Sequence, residues 1–252
     1  MRVPKSTIPI VVVTGFAAVC GFLLAVSGKA QLSGATYVPF TAHMVEEHFT
    51  DASAAQPTEV TDITYGRRSS GSEVSFTSFH GPDGQIGQLV YILDVSSSKE
   101  IQLEPFTKSS MTFYLSPKDL NQRLDSRGCS ANTDEMGEHS KLLGYDVVRY
   151  REKEGSSYRY TTQDAWVAPY LACFALKQID ATNFGPWNRT TVLSIIEGEP
   201  PSSMFDIPPE YVERSPSQLN TAWGAIFHGS QFWSDGALAN VEQHYYRQRP
   251  GP

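Results

Sequence analysis

Cys129 and Cys173 are the residues with the most definite chemistry. Outside a reducing cytosol, thiols tend to oxidise and a pair persists as a disulfide. Closing the loop between them removes roughly 4 kcal/mol of chain entropy from the unfolded state in the simplest picture. A structural Cys129–Cys173 disulfide is expected, with two buried free thiols as the alternative. Neither cysteine has catalytic company in sequence; the nearest histidine to Cys129 is His139. Cys20, in Ala17-Ala18-Val19-Cys20, loosely resembles a lipid-attachment site, but Val19 stands where a small residue is wanted. The six histidines are scattered. Only His43 and His48 lie close to carboxylates, at Glu46 and Glu47. On a strand, His43 and Glu47 share one face while Glu46 and His48 share the other. That split is a thin signal for a metal centre, and a solvated strand edge is expected instead. No nucleophile elbow, metalloprotease helix or glycine-rich phosphate loop is present. The reading is of a protein that is not an enzyme and holds no metal and no cofactor. Asn188-Arg189-Thr190 matches the short N-glycosylation pattern, which has meaning only in a eukaryotic secretory route.

The elements that position these residues begin with the chain's bulk. It has 252 residues, 40% hydrophobic and 19% charged, which suits one folded domain with some length to spare. A net charge of −7 argues against nucleic acid as a partner, because binding phosphates needs a basic face.

Arg2 and Lys5 precede an uncharged run from Ile8 to Gly28, long enough as a helix to span about 31 Å, one hydrocarbon core. Basic residues ahead of the run hold that end in the cytoplasm and send the rest across. Two readings stay open for residues 1–30: a cleaved signal peptide, with candidate sites after Ser27, Gly28 and Ala30, or an uncleaved membrane anchor. Either way the membrane is a partner through this segment and the body is extracytoplasmic, in the periplasm or cell envelope. Residues 31–36 read as a linker.

From Tyr37 onward the pattern is strand-like. Tyr37–Phe49 mixes aromatic and β-branched residues. Glu59–Arg67 alternates Val60, Asp62 and Thr64 against Ile63 and Tyr65. Glu73–Phe79 places Val74, Phe76 and Ser78 on one face. His80–Gln85, with Asp83-Gly84, turns the chain into Ile86–Val95. Ile101–Leu103 and Ser110–Leu115 follow. Ser116 as N-cap with Pro117 at the first helical position starts a helix over 117–124, with Leu120 and Leu124 on one face. Strands resume at Lys141–Arg151 and Tyr158–Val167, joined by a charged turn at Glu152–Ser157. Thr191–Ile196 and Met204–Ile207 close the series. Regular spacing with turns between runs predicts an antiparallel sheet rather than βαβ units. The tail, 216–252, is rich in aromatics. Leu219, Trp223 and Ile226 fit one helical face, Leu238, Val241 and Tyr245 another, with Gly229 and Gly236 as breakers. Two helices docked on the sheet are expected; a flap over an apolar opening or on the membrane surface is the sharper alternative.

Residues 141–212 resemble a family. Lys141–Tyr145, Val147-Val148, Ala165–Pro169, Leu171–Cys173, Ile195–Pro200 and Met204–Tyr211 follow the order G-Y, W-x-x-P, G-x-P, F-x-I-P-x-x-Y. This is similar to exported bacterial proteins of the DUF4412 and outer-membrane-lipoprotein-sorting type, the LolA/LppX half-barrels. The resemblance implies a mainly β (α+β) fold over 37–215: a curved antiparallel sheet forming an incomplete barrel, with helices covering one face. It also implies an apolar cavity for acyl chains. Candidate lining residues are Phe76, Leu89, Tyr91, Leu93, Phe113, Val148, Tyr150, Trp166 and Phe174, each of which an ordinary packed core would also bury. The expected function is an exported or membrane-anchored, non-enzymatic module binding a lipid, lipoprotein or other apolar ligand. The alternative is a cell-envelope sensor tethered by its N-terminal helix to a protein partner.

Overall fold

The computed structural model describes residues 37–51, 54–81, 83–125, 134–155, 160–182, 185 and 187–247. The N-terminal segment, the linker, Cys20 and Cys129 lie outside the described residues. Among those described, no helix is long and apolar enough to cross a membrane.

The strands are β1 (Phe40–Phe49), β2 (Glu59–Arg67), β3 (Glu73–His80), β4 (Ile86–Asp94), β5 (Lys99–Glu104), β6 (Ser109–Tyr114), β7 (Asp134–Leu142), β8 (Tyr145–Gly155), β9 (Tyr160–Ala168), β10 (Phe174–Thr182), β11 (Trp187–Glu197) and β12 (Val212–Glu213). The helices are α1 (Pro117–Asp125), α2 (Pro216–Ile226) and α3 (Asp235–Arg247). These strands belong to one 12-stranded sheet in the order β12-β6-β5-β4-β3-β2-β1-β11-β10-β9-β8-β7. Its ends, β12 and β7, do not pair, so the sheet is open. Two meanders, β1 to β6 and β7 to β11, meet where β11 pairs with β1. The sheet is antiparallel as expected except at β12, which lies parallel to β6.

The sheet curls. Tyr65 on β2 and Phe174 on β10 are separated by β1 and β11, about 14 Å in a flat sheet. Their rings nevertheless stack with centroids 5.0 Å apart, and Phe40 lies 4.9 Å from Phe174. The face carrying Phe40 and Tyr65 is therefore the inner, concave one. On it a buried cluster gathers Phe40, Ala42, Met44, Ile63, Leu176 and Val192.

Helices cover the inner face over β3 to β6. Ser116 caps α1, its hydroxyl accepting from the Asp119 amide. Leu120 and Leu124 then pack on Leu93 and Leu115, and Arg123 reaches Glu100 of β5 at 2.7 Å. Helix α2 starts with a full capping box between Ser215 and Gln218. Its Leu219 and Trp223 join Phe227, Phe232 and Tyr245 over Met111 and Phe113. The tail is thus docked on the sheet, the first of the two expected arrangements.

Several expectations need correction. Ile226 is not part of the buried face; it is 44% exposed and Phe227 is buried instead. Gly236 does not break a helix but lies in the first turn of α3, whereas Gly229, at φ 84°, does end the α2 turn. The run Lys141–Arg151 is not one strand. Leu143 and Gly144 take φ of 52° and 85° and form the two-residue hairpin between β7 and β8. The charged segment Glu152–Gly155 is no turn; it continues β8. Met204–Ile207 is no strand, because a 3-10 turn over Ser202–Phe205 follows Pro200-Pro201. Strand β10 has no counterpart among the expected runs.

Candidate functional site: an outer cleft and an inner carboxylate pair

Alternation places Thr41, Thr64, Phe76 and Gln88, on four adjacent strands, on the outer face of the sheet. The pairings Thr64–Phe76 and Phe76–Val90 fix this, since directly opposed residues share a face. After β11 the chain crosses this same face as a strap. Contact is close: a Cβ built on Gly66 would stand 3.2 Å from Val74 Cγ1 and 3.3 Å from Met204 Cε and Pro200 Cβ. Arg68 secures the strap, its guanidinium 3.8 Å over the Phe205 ring.

Between strap and sheet lies a cleft of about 560 Å³. It is lined by Thr41, Thr64, Phe76, Gln88, Ile196, Glu197, Gly198, Glu199, Pro201 and Met204. Phe76, Pro201 and Met204 make an apolar floor, and Ile196 at the rim is 72% exposed. Glu197 opposes Phe40 and so turns its carboxylate to the inner face, whereas Glu199 lies on the strap. Glu197 accepts from the Tyr145 hydroxyl at 2.7 Å and the Tyr170 hydroxyl at 3.2 Å. Glu199 accepts from the Ser69 amide at 3.1 Å. Burial, then the Glu197 carboxylate, pushes the Tyr145 phenol up to about 12.

A second polar group lies on the inner face. Glu46 is 6% exposed, opposite Thr190. Burial raises its pKa; His48 opposes this, while Asp180 and Glu59 add to it. Asp180 is held by Gln163 and Gln178 amides at 2.8 and 2.7 Å, and burial raises it too. His48 meets Asn188 at 3.0 Å. On the outer face, Glu47 accepts two bonds from Arg189, which hold its carboxyl below the usual range, and His43 meets Asp62. The expected alternation of His43 and Glu47 against Glu46 and His48 thus holds. Among the described residues no cluster of three or more such ligands could hold a metal.

The expected cavity residues separate. Leu89 and Phe113 pack with the Trp223 cluster, and Tyr91 and Leu93 with α1. Trp166 and Phe174 border the Phe40 cluster, Trp166 lying between Arg149 and Lys177. Val148 and Tyr150 are partly buried on β8. Phe76 alone among them lines the cleft, on the face opposite Leu89, Tyr91 and Leu93. The strap residues Ile196–Met204 are absent from the expected lining. Exposed aliphatics beside two prolines and two glutamates are the only signal for them in the sequence. Asn188 lies within β11 and Thr190 is buried, unlike the exposed loop a glycosylation acceptor requires. Cys173 is disulfide-bonded.

Comparison with known proteins identifies no family: no family model and no curated protein matches. Among solved structures, the chain is similar to PNGF-II at TM-score 0.42 and 12% identity, over 73% of this chain and 33% of that one. The chain thus spans about a third of PNGF-II. It is similar to LprF from Mycobacterium bovis at TM-score 0.33 and 13% identity, over 72% of this chain and 92% of that one. It is similar to the LolA superfamily protein NE2245 from Nitrosomonas europaea at TM-score 0.34 and 6% identity, over 68% and 90%. Scores this low place the chain in none of these families. The description of the fold rests on its own geometry.

Proposed function

We propose that this chain is an exported or membrane-anchored, non-enzymatic module that holds an apolar ligand in the outer cleft. The observation that carries the reading is the cleft itself: about 560 Å³, floored by Phe76, Pro201 and Met204. That volume suits a small apolar molecule or a single alkyl chain. The residues with raised carboxyl pKa, Glu46 and Asp180, lie on the other face, away from this floor, which favours binding over catalysis. Export is supported by the apolar run from Ile8 to Gly28 and by the disulfide-bonded state of Cys173, for which Cys129 is the proposed partner.

Titration calorimetry of the full chain with decanol tests the reading. Saturable binding is expected, weakened at least about tenfold by Phe76→Asp, since a buried charge removes the apolar contact. No binding of decanol or longer alcohols would refute it. A second reading, docking of an envelope protein partner, is favoured by Val60, Ile86 and Ile196, exposed on that same outer face. Cross-linking to one partner from the full chain, lost in Ile86→Lys with decanol binding intact, would support that partner surface.

A further inference from the structure

We infer that the end of the sheet carrying Leu143 and Tyr170 rests on a membrane surface, with both side chains among the lipid headgroups. This rests on the membrane-anchored form of the reading above and adds the surface that meets the lipid. Antiparallel order brings the start of β1, the β7–β8 hairpin tip and the link between β9 and β10 to one end of the sheet. There Glu197, opposite Phe40, accepts from the hydroxyls of Tyr145 and Tyr170, whose rings stack at 6.1 Å. Tyr145 flanks the hairpin tip and Tyr170 lies in the 3-10 turn Pro169–Leu171, so the two links form one patch.

The tip is built against local preference. Leu143 and Gly144 both have positive φ, in a two-residue turn where asparagine-glycine is favoured. A leucine there meets the steric cost of the left-handed region and leaves its side chain 46% exposed. A lone exposed leucine is ordinary; a strained one at a tip points to a role outside folding. Tyr170 is 59% exposed with its hydroxyl tied to Glu197, an amphipathic ring of the kind enriched at membrane interfaces. The whole chain carries −7, so the fitting surface is zwitterionic rather than anionic. The path of the chain favours lipid over a protein partner. The apolar run closes at Gly28, and the described chain begins at Tyr37, whose amide donates to the Ser69 carbonyl at this same end. Residues 29–36 reach at most about 28 Å. β1, ten residues long, measures about 33 Å, so with the strand upright only this end comes down to the bilayer.

Photo-crosslinking of the full chain in phosphatidylcholine vesicles tests this. p-Benzoylphenylalanine is placed at Leu143, at Tyr170 or, as a control at the opposite end of the sheet, at the exposed Ile86, and mass spectrometry reads phospholipid adducts. Yields at 143 and 170 are expected at least about fivefold above that at 86, since interfacial side chains sit about 5–10 Å into the headgroup boundary. Leu143→Asn, which suits the turn, should cut the yield of the probe at 170 about threefold; a purely structural role for Leu143 would leave it unchanged. Equal yields at the three sites, or adducts to a second copy of the chain in place of lipid, would overturn the orientation, and flotation of the chain with the vesicles would then leave the anchored reading standing. A chain that does not float with the vesicles would remove both.

Discussion

Arg67 Nη2 donates a 2.7 Å hydrogen bond to the carbonyl oxygen of Leu171. The donor is on β2 and the acceptor just after β9, with β1, β11 and β10 between those strands. The guanidinium also lies 4.7 Å over the Phe40 ring and 5.6 Å over that of Tyr37. It is 1% exposed, and its register partner on β3, Glu73, is buried as well. One side chain thus ties the two meanders together across the concave face.

Arg67→Ala is expected to destabilise the protein by about 3 kcal/mol, because it strands the Leu171 carbonyl and opens a cavity beside the Phe40 and Tyr37 rings. Arg67→Lys should recover part of this, since it keeps the charge but not the planar fork. Urea denaturation of the three proteins measures both.

Stability should fall as pH rises through the folded pKa of Glu46. Burial raises that pKa above the unfolded value, so the folded state binds the proton more tightly. Between the two values the folded state holds more protons, and the slope of stability with pH is negative. The groups facing Glu46 are His48 on its own strand, Asp180 on β10 and Glu59 on β2. Glu46→Gln is expected to be more stable than the parent above the ordinary glutamate range and to flatten the slope there. Denaturation midpoints across a pH series check this; an unchanged slope would exclude Glu46 as its source.

Trp223→Ala should cost about 3–5 kcal/mol, as a large ring is removed from among Phe79, Phe106, Phe227 and Phe232. Trp223→Phe should cost less than about 1.5 kcal/mol, because the buried indole N–H has no partner among the described residues and its loss breaks no hydrogen bond there. Thermal melts followed by near-UV circular dichroism separate the two.

Gly87→Ala is expected to destabilise by about 1–3 kcal/mol, since the added Cβ would stand 2.6 Å from Pro105 Cγ. Gly236→Ala, with nothing within 4 Å, should instead stabilise α3 by about 0.5 kcal/mol. Chemical denaturation of both variants gives opposite signs if the packing is as described.

The strands from β1 to β6 are legible in the sequence because their alternation and turns follow ordinary chemistry, as at Glu59–Arg67 and Asp83-Gly84. The Ser116 cap and the Leu120–Leu124 pair mark α1 for the same reason. The second meander is harder. Its turns use residues that seldom take positive φ: Leu143 at 52°, Ala172 at 48° and Cys173 at 59°. Local propensity gives no hint of these, which hides the β7–β8 hairpin and the start of β10. The cleft is illegible for a different reason. It forms between Phe76 and a strap more than a hundred residues later, and nothing local to either predicts that they meet. Hydrophobicity alone groups Phe76 with Leu89 in one cavity, although register puts the two on opposite faces.

The two ends of the sheet are finished by different means. At one, Val212 and Glu213 lie beside Ser109 and Ser110 and occupy the hydrogen-bonding edge of β6. At the other, β7 carries a register break between Glu135 and His139 and presents exposed Glu138 and Lys141. An unrolled sheet with free margins would polymerise edge to edge. Here a short parallel stub blocks growth on one side, and irregular pairing with charge discourages it on the other, so the sheet can stay unclosed without recruiting further copies of itself.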